Sequence, residues 1–263
     1  MSQDSHTSEE LIRAQLLLRA RQLRGAGVEW LPAAEPLAFA TPAVADVAPV
    51  EVKSSALDIV DMPSADSSLT MDERVLALDA LAAEVKQCMR CAELCSTRTQ
   101  TVFGQGKPSV ELCFVGEAPG ADEDKQGIPF VGAAGQLLNK IIAASGFQRE
   151  ELYICNIIKC RPPANRTPLA NEAANCRDFL ERQIALVQPK YIVALGGCAA
   201  SNLLQTTVSL GKLRGRFHDF KGIPVMVTYH PAFLLPHRSP EKKRDVWEDM
   251  KWLLKQMGRP VPQ

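Results

Sequence analysis

Several residues in this chain are of types, and at spacings, that could do chemistry. Cys88 and Cys91 form a Cys-x2-Cys pair, Cys160 and Cys176 lie further along, and Cys95 closely follows the first pair. Four soft thiolates suit zinc or an iron–sulfur cluster. The second pair is not a Cys-x2-Cys knuckle, which argues against a zinc ribbon. Spacing alone also leaves free thiols open. Cys113, Cys155 and Cys198 stand on or beside apolar runs and read as small buried thiols.

Carboxylates gather in the stretch GEAPGADEDKQGIPFVGAAGQLL, as Glu117, Asp122, Glu123 and Asp124. Each of these acids reads first as a solvated loop charge, least of all Glu117, which directly follows an apolar run. Gly116 and Ala118 are small enough for a ligand to approach the backbone. Phe130 is an aromatic in a glycine-rich loop, either a core anchor or a stacking face. Asn156 closes another apolar run. Its amide offers one acceptor and two donors and can read the edge of a base or cap a strand end. Lys159, Arg161 and Arg166 follow in KCRPPANRTP, a loop that Pro162 and Pro163 stiffen for phosphate contacts. His230-Pro231-Ala232 ends a further apolar run, and the proline biases the histidine backbone toward an extended conformation.

The elements that must position these residues follow from periodicity. Residues Glu9 to Gly25 read as a helix, with five leucines largely on one side. From Leu31 to about Ser68 the chain is rich in Ala, Pro, Val, Ser and Asp, and it reads as a flexible linker. Order resumes at Met71, with Asp72 capping a helix that ends near Lys86. Strands are expected at Glu111–Gly116, Leu152–Ile157, Tyr191–Gly196 and Ile223–His230. Helices are expected at Gly135–Ser145, Pro168–Val187 with Thr167 as cap, Ala199–Leu204 and Pro240–Met257. Strands alternating with helices predict an α/β fold, a three-layer α/β/α sandwich around a mostly parallel four-stranded sheet. Ligands then sit outside the C-terminal strand ends, where the unusual residues fall. Two regions are expected, 1–70 as helix and acidic linker and 71–260 as a catalytic domain.

The net charge of zero hides a split. Residues 1–80 hold 13 acidic and 6 basic residues, and residues 81–263 hold 17 acidic and 24 basic. The basic part admits a polyanionic partner. No apolar run approaches the roughly eighteen residues that cross a bilayer, and the N-terminus carries no secretory pattern. The expectation is a cytoplasmic protein with no membrane partner, whose cysteines are not a disulfide framework.

Taken together, GEAPGADED, GIPFVGAAGQLL, the segment Asn156–Asn165, the four cysteines and TYHPAFLL closely resemble the family 4 uracil-DNA glycosylases, over about Leu76 to Met257. The resemblance implies a 4Fe–4S cluster on Cys88, Cys91, Cys160 and Cys176, with Cys95 a bystander. It implies that Phe130 stacks on an extruded uracil, that Asn156 pairs with the uracil edge and that His230 contacts a uracil carbonyl oxygen. Glu117 and Glu123 match acids linked to catalysis and water positioning, and Asn165 matches an asparagine beside the site. Gly116 and Ala118 fall in the substrate-binding motif. The loop RPPANRTP lacks the histidine through which a related branch links covalently to DNA, so ordinary turnover is expected. The implied partner is uracil-containing DNA, single- or double-stranded, met by a monomer in the bacterial cytoplasm or nucleoid. The loops at 159–166, 212–216 and 238–244 would grip phosphates, and Phe233, Leu234 or Leu235 would fill the vacated stack. The N-terminal helix remains available for a protein partner. The rival readings are a non-catalytic iron–sulfur DNA-binding protein and a repair adaptor of the same fold.

Overall fold

Side-chain alternation along buried strands decides the architecture. In the computed structural model, which describes residues 69–262, Cys113 and Val115 face one side of the sheet, while Leu112 and Phe114 face the other. Each set joins its own core, because successive strand residues point to opposite faces. The expected helix at Glu9–Gly25 and the linker after it lie outside the described residues.

Thirteen helices and strands follow in chain order: α1 (Met71–Lys86), α2 (Ala92–Thr97), β1 (Leu112–Gly116), α3 (Ala121–Gln126), α4 (Ala133–Ala144), β2 (Tyr153–Asn156), α5 (Ala170–Val187), β3 (Tyr191–Leu195), α6 (Gly196–Leu204), α7 (Leu210–Leu213), β4 (Phe217–Phe220), β5 (Ile223–Thr228) and α8 (Lys243–Gln256). The sheet order is β2-β1-β3-β5-β4. One core packs α1, α5 and α6 on the sheet through residues such as Leu81, Phe179 and Leu203. The other packs α4 and α8 through Leu138, Ile142, Met250 and Leu253. The three layers are those expected. No described helix is long and apolar enough to cross a membrane.

The expected four parallel strands are present, and a fifth joins them. β4 runs antiparallel to β5 at one edge. Phe220 pairs with Ile223, which leaves Lys221 and Gly222 as a two-residue turn, both with positive φ. That conformation matches strand twist in tight hairpins. The other edge belongs to β2, where Gln105 and Ile154 form an antiparallel bridge outside the named strands.

Two helix starts differ from expectation. Thr70, not Asp72, caps α1, its hydroxyl accepting from the Glu73 amide at 3.3 Å while the Glu73 carboxylate accepts from the Thr70 amide at 2.8 Å. α5 begins at Ala170 rather than Pro168, and the Glu172 carboxylate accepts from the Leu169 amide at 2.7 Å in place of a Thr167 cap.

The chain passes from β1 to β2 on one side and then crosses to β3 on the other. That reversal opens a crevice beyond the C-terminal ends of β1 and β3.

Candidate active site

A cleft of about 500 Å³ opens there, lined by Glu117, Phe130, Asn156, Asn165 and His230 among others. Ala118 and Glu123 line it too, and Gly116 lies directly beneath. A β-carbon on Gly116 would collide with Oδ1 of Asn156 and with the Phe130 ring. The glycine is therefore what lets the amide and the aromatic stand side by side.

Asn156 ends β2 and is buried. Its Oδ1 is the one buried side-chain nitrogen or oxygen among the described residues with no hydrogen-bond partner. Its backbone oxygen is held at 2.8 Å by Nζ of Lys159, which also donates to Oε1 of Gln183 at 2.5 Å. Gln183 in turn donates to the Tyr153 hydroxyl and to the Phe103 carbonyl, each at 2.9 Å.

His230 follows β5. Its Nδ1 accepts from the Ala232 amide at 3.1 Å, so in the neutral ring the proton is assigned to Nε2. Burial, and then the positive charge of Arg238, push its pKa down to about 4. The ring is thus a neutral donor. Gly196, at φ +91°, lets the start of α6 approach it, since a β-carbon there would lie 3.0 Å from Cβ of His230. The Phe130 and His230 ring centroids are 5.7 Å apart.

Burial raises the pKa of Glu117 above the usual carboxylate value, against hydrogen bonds from the Thr167 hydroxyl and the Cys198 thiol. Neither partner was legible in the sequence, since each comes from a distant segment. The other acids separate from Glu117. Glu123 reaches the cleft, but one oxygen accepts from the Val131 and Gly132 amides, both at 2.9 Å, and the other from Gly120 at 3.0 Å. Those bonds make it a support of the Phe130 loop rather than a free acid. Asp124 is buried and accepts from the Thr99 amide at 3.0 Å.

The basic loops also need correction. Lys159 is fully buried and cannot touch phosphate. Arg166 is bound by Glu172 and Glu93, each at 2.7 Å. Arg214 is bound by Asp249 at 2.8 Å and lies 4.4 Å from the Tyr229 ring centroid. Lys212, Arg216, Arg238, Lys243 and Arg244 are exposed. Of the three wedge candidates, Leu234 is buried and Phe233 is 41% exposed, stacked on Tyr229 at the rim of the cleft. Asn165 is exposed at the rim, with φ +55°, and its Oδ1 accepts from Arg161 at 2.7 Å.

The profile of the uracil DNA glycosylase superfamily matches residues 103–251, which span every cleft residue named above. The chain belongs to that superfamily. Its type 4 branch is indicated by similarity to the type-4 uracil-DNA glycosylase of Thermotoga maritima, 46% identical over 66% of this chain and 91% of that protein. The type-4 uracil-DNA glycosylase of Archaeoglobus fulgidus is 40% identical over 71% of this chain and 96% of its own length. A type-5 uracil-DNA glycosylase of Pyrobaculum aerophilum is 29% identical over 55% of this chain and 78% of its own.

The superfamily match begins after the first cysteine pair, so the thiol site stands on geometry. Cys88 follows α1, Cys91 caps α2, Cys160 follows β2 and Cys176 is on α5. Cys176 lies within electrostatic reach of Cys88, Cys91 and Cys160. Among the described residues no three metal-binding side chains close around a single ion. A four-iron cluster differs from a single ion in taking each thiolate on a separate iron. Three sulfurs face N–H donors: Arg98 to Cys160 at 2.9 Å, Asn175 to Cys91 at 3.4 Å and the Lys159 amide to Cys176. A thiol is a weak acceptor, so this donor set fits ionised, metal-bound sulfur. Cys95 sits close by, but its thiol donates to the Cys88 carbonyl at 3.4 Å.

Proposed function

We propose that this chain excises uracil from DNA and leaves an abasic site, using the cleft beyond β1 and β3. The observation that carries this reading is the unpartnered Oδ1 of Asn156 beside a neutral histidine donor and an aromatic ring. A buried polar atom without a partner costs about 1–3 kcal/mol. A base edge bearing an N–H next to a carbonyl removes that cost.

A base inside a duplex is out of reach, so the nucleotide must be flipped out of the stack. The exposed basic residues around the cleft hold the backbone. Phe233 is the side chain placed to fill the gap, as apolar wedges do. Phe130 stacks on the flipped base, Asn156 accepts from N3–H and donates to O4, and Gly116 keeps the floor open. As the C1′–N1 bond breaks, electrons move onto the base and the sugar becomes cationic. His230 donates through Nε2 to the base oxygen, a fixed dipole that needs no proton transfer. Glu117, ionised, stabilises the sugar cation or orients the attacking water. Glu123 acts at one remove, by holding the Phe130 loop.

Cys88, Cys91, Cys160 and Cys176 would hold a 4Fe–4S cluster, whose role would be structural, tying α1, α5 and the segment after β2 together. The protein acts as a monomer on single- or double-stranded DNA, and residues 1–70 are a separate region open to a protein partner. The test is incubation with an oligonucleotide carrying one uracil, followed by alkali. Strand cleavage at the uracil is expected. Tight DNA binding without cleavage would make the chain a binding protein.

A further inference from the structure

We propose that Arg149 is a positioning residue that aims Phe130, acting with Glu123 across the backbone of residues 129–132. The inference rests on the reading of Phe130 as the aromatic that meets the base. Phe130 has φ +54°, a left-handed backbone in a residue with a β-carbon. Such a residue persists only where its surroundings over-determine it.

Here they do so from both sides. Arg149 donates to the Pro129 carbonyl at 2.6 Å and the Phe130 carbonyl at 3.3 Å. Glu123 accepts from the next two amides, Val131 and Gly132. Side chains of opposite charge thus hold the carbonyls on one side of the strained turn and the amides on the other. The guanidinium is itself anchored, to Oδ1 of Asn139 on α4 at 2.7 Å and to Oε1 of Gln105 at 3.1 and 3.3 Å. Gln105 is bridged to β2. The aim of the ring is therefore set by α4 and the sheet edge rather than by the loop. Gly135 completes the fit, because a β-carbon there would collide with the Phe130 carbonyl. A lysine could not replace the planar fork, which alone reaches all four acceptors.

Arg149 is not among the residues lining the cleft, so its effect must pass through the ring. The experiment is a double-mutant cycle in single-turnover uracil excision by the full chain: wild type, Arg149→Met, Phe130→Ala and the double variant. Melting temperature and affinity for uracil-free DNA are measured alongside. Misplacing a substrate-positioning group slows reaction by about tenfold to a hundredfold, and Arg149→Met is expected in that range, with affinity for uracil-free DNA unchanged. The double variant should match Phe130→Ala alone, since removing the ring removes what Arg149 acts on. Arg149→Lys should remain slow. Additive losses, or Arg149→Met at the parental rate, would overturn the proposal while Phe130 keeps its role. Phe130→Ala at the parental rate would overturn the stacking reading and the proposal with it. Should Arg149→Met fail to fold, Asn139→Ala replaces it in the cycle. A smaller slowing that vanishes without the ring is then expected, and an additive one overturns the proposal.

Discussion

Uracil presents an N3–H donor beside an O4 acceptor, and cytosine presents the opposite pair. An amide held in one orientation satisfies only the first. Cytosine would leave two mismatched groups in a dry pocket at about 1–3 kcal/mol each, and sites built to hydrogen-bond a substrate reject such mismatches strongly. Asn156→Asp should lose most uracil excision and shift relative preference toward cytosine, whereas Asn156→Ala should lose activity without that shift. Matched single strands in single turnover measure both, and an Asn156→Asp enzyme cutting uracil at the parental rate would remove Asn156 from base recognition. His230 and Glu117 separate by pH. Glu117 takes up a proton above the ordinary carboxylate value because it is buried, while His230 stays neutral down to about pH 4. The acid limb of kcat/KM should therefore disappear in Glu117→Gln. It should survive in His230→Gln on a plateau lower by about a hundredfold to a thousandfold, as for a lost oxyanion donor. Survival of the limb in Glu117→Gln would assign it elsewhere. Between about pH 6.5 and pH 4 the unfolded chain protonates this histidine and the folded chain does not, so stability falls across that window as pH drops. Glu117, Asn156 and His230 were legible as candidates because they stand at strand ends, whereas Phe130, Glu123 and Asn165 took their roles only from the family resemblance. Their supports were not, since Thr167, Cys198 and Arg149 reach the site from segments with no local pattern linking them to it.

At the scale of elements, α3 joins two regions. Its adjacent acids reach in different directions, Glu123 to the Phe130 loop and Asp124 to the Thr99 amide. Beside that amide, Arg98 donates to Cys160 and to the Cys88 carbonyl. Glu123→Gln keeps one acceptor where two amides and Gly120 need more, and it should slow excision about tenfold with visible absorbance unchanged. Asp124→Ala should lower visible absorbance per protein and excision together, although Asp124 touches neither a cysteine nor the base. Full absorbance in Asp124→Ala would show that the 98–100 segment holds without it. Cys160→Ser should lower soluble yield, because cluster binding is coupled to folding. The six-residue polar run ADEDKQ is too short to show a helical period, so sequence alone presents α3 as a loop of solvated acids. β4 was missed for a related reason. Phe-His-Asp-Phe is short, and its hairpin signal, Lys221-Gly222, departs from the usual asparagine–glycine pattern. The parallel strands were legible because burial on both faces makes them continuous apolar runs.

For the whole molecule, the charge split and the cleft's location give a further expectation. Removing residues 1–68 deletes none of the cleft residues and most of the excess negative charge. Excision on short DNA should remain nearly intact, with tighter binding at low salt. A folded but inactive truncation would show that the N-terminal segment completes the catalytic unit. Exposed and committed arginines should also differ. Arg216→Ala should reduce the salt slope of DNA binding by about one, whereas Arg214→Ala should lower the melting temperature instead, since it strips the buried Asp249 of its cationic partner and leaves it only the Thr228 hydroxyl. Equal salt slopes in the two variants would contradict that division. The sheet has two edges, and neither invites another chain. Gln105 occupies the edge of β2 at Ile154, and β4 is four residues long with Asp219 exposed within it, features that discourage strand-to-strand pairing. Within the described residues, the sheet therefore offers no long free backbone row by which copies crowded onto one damaged stretch of DNA could zip together.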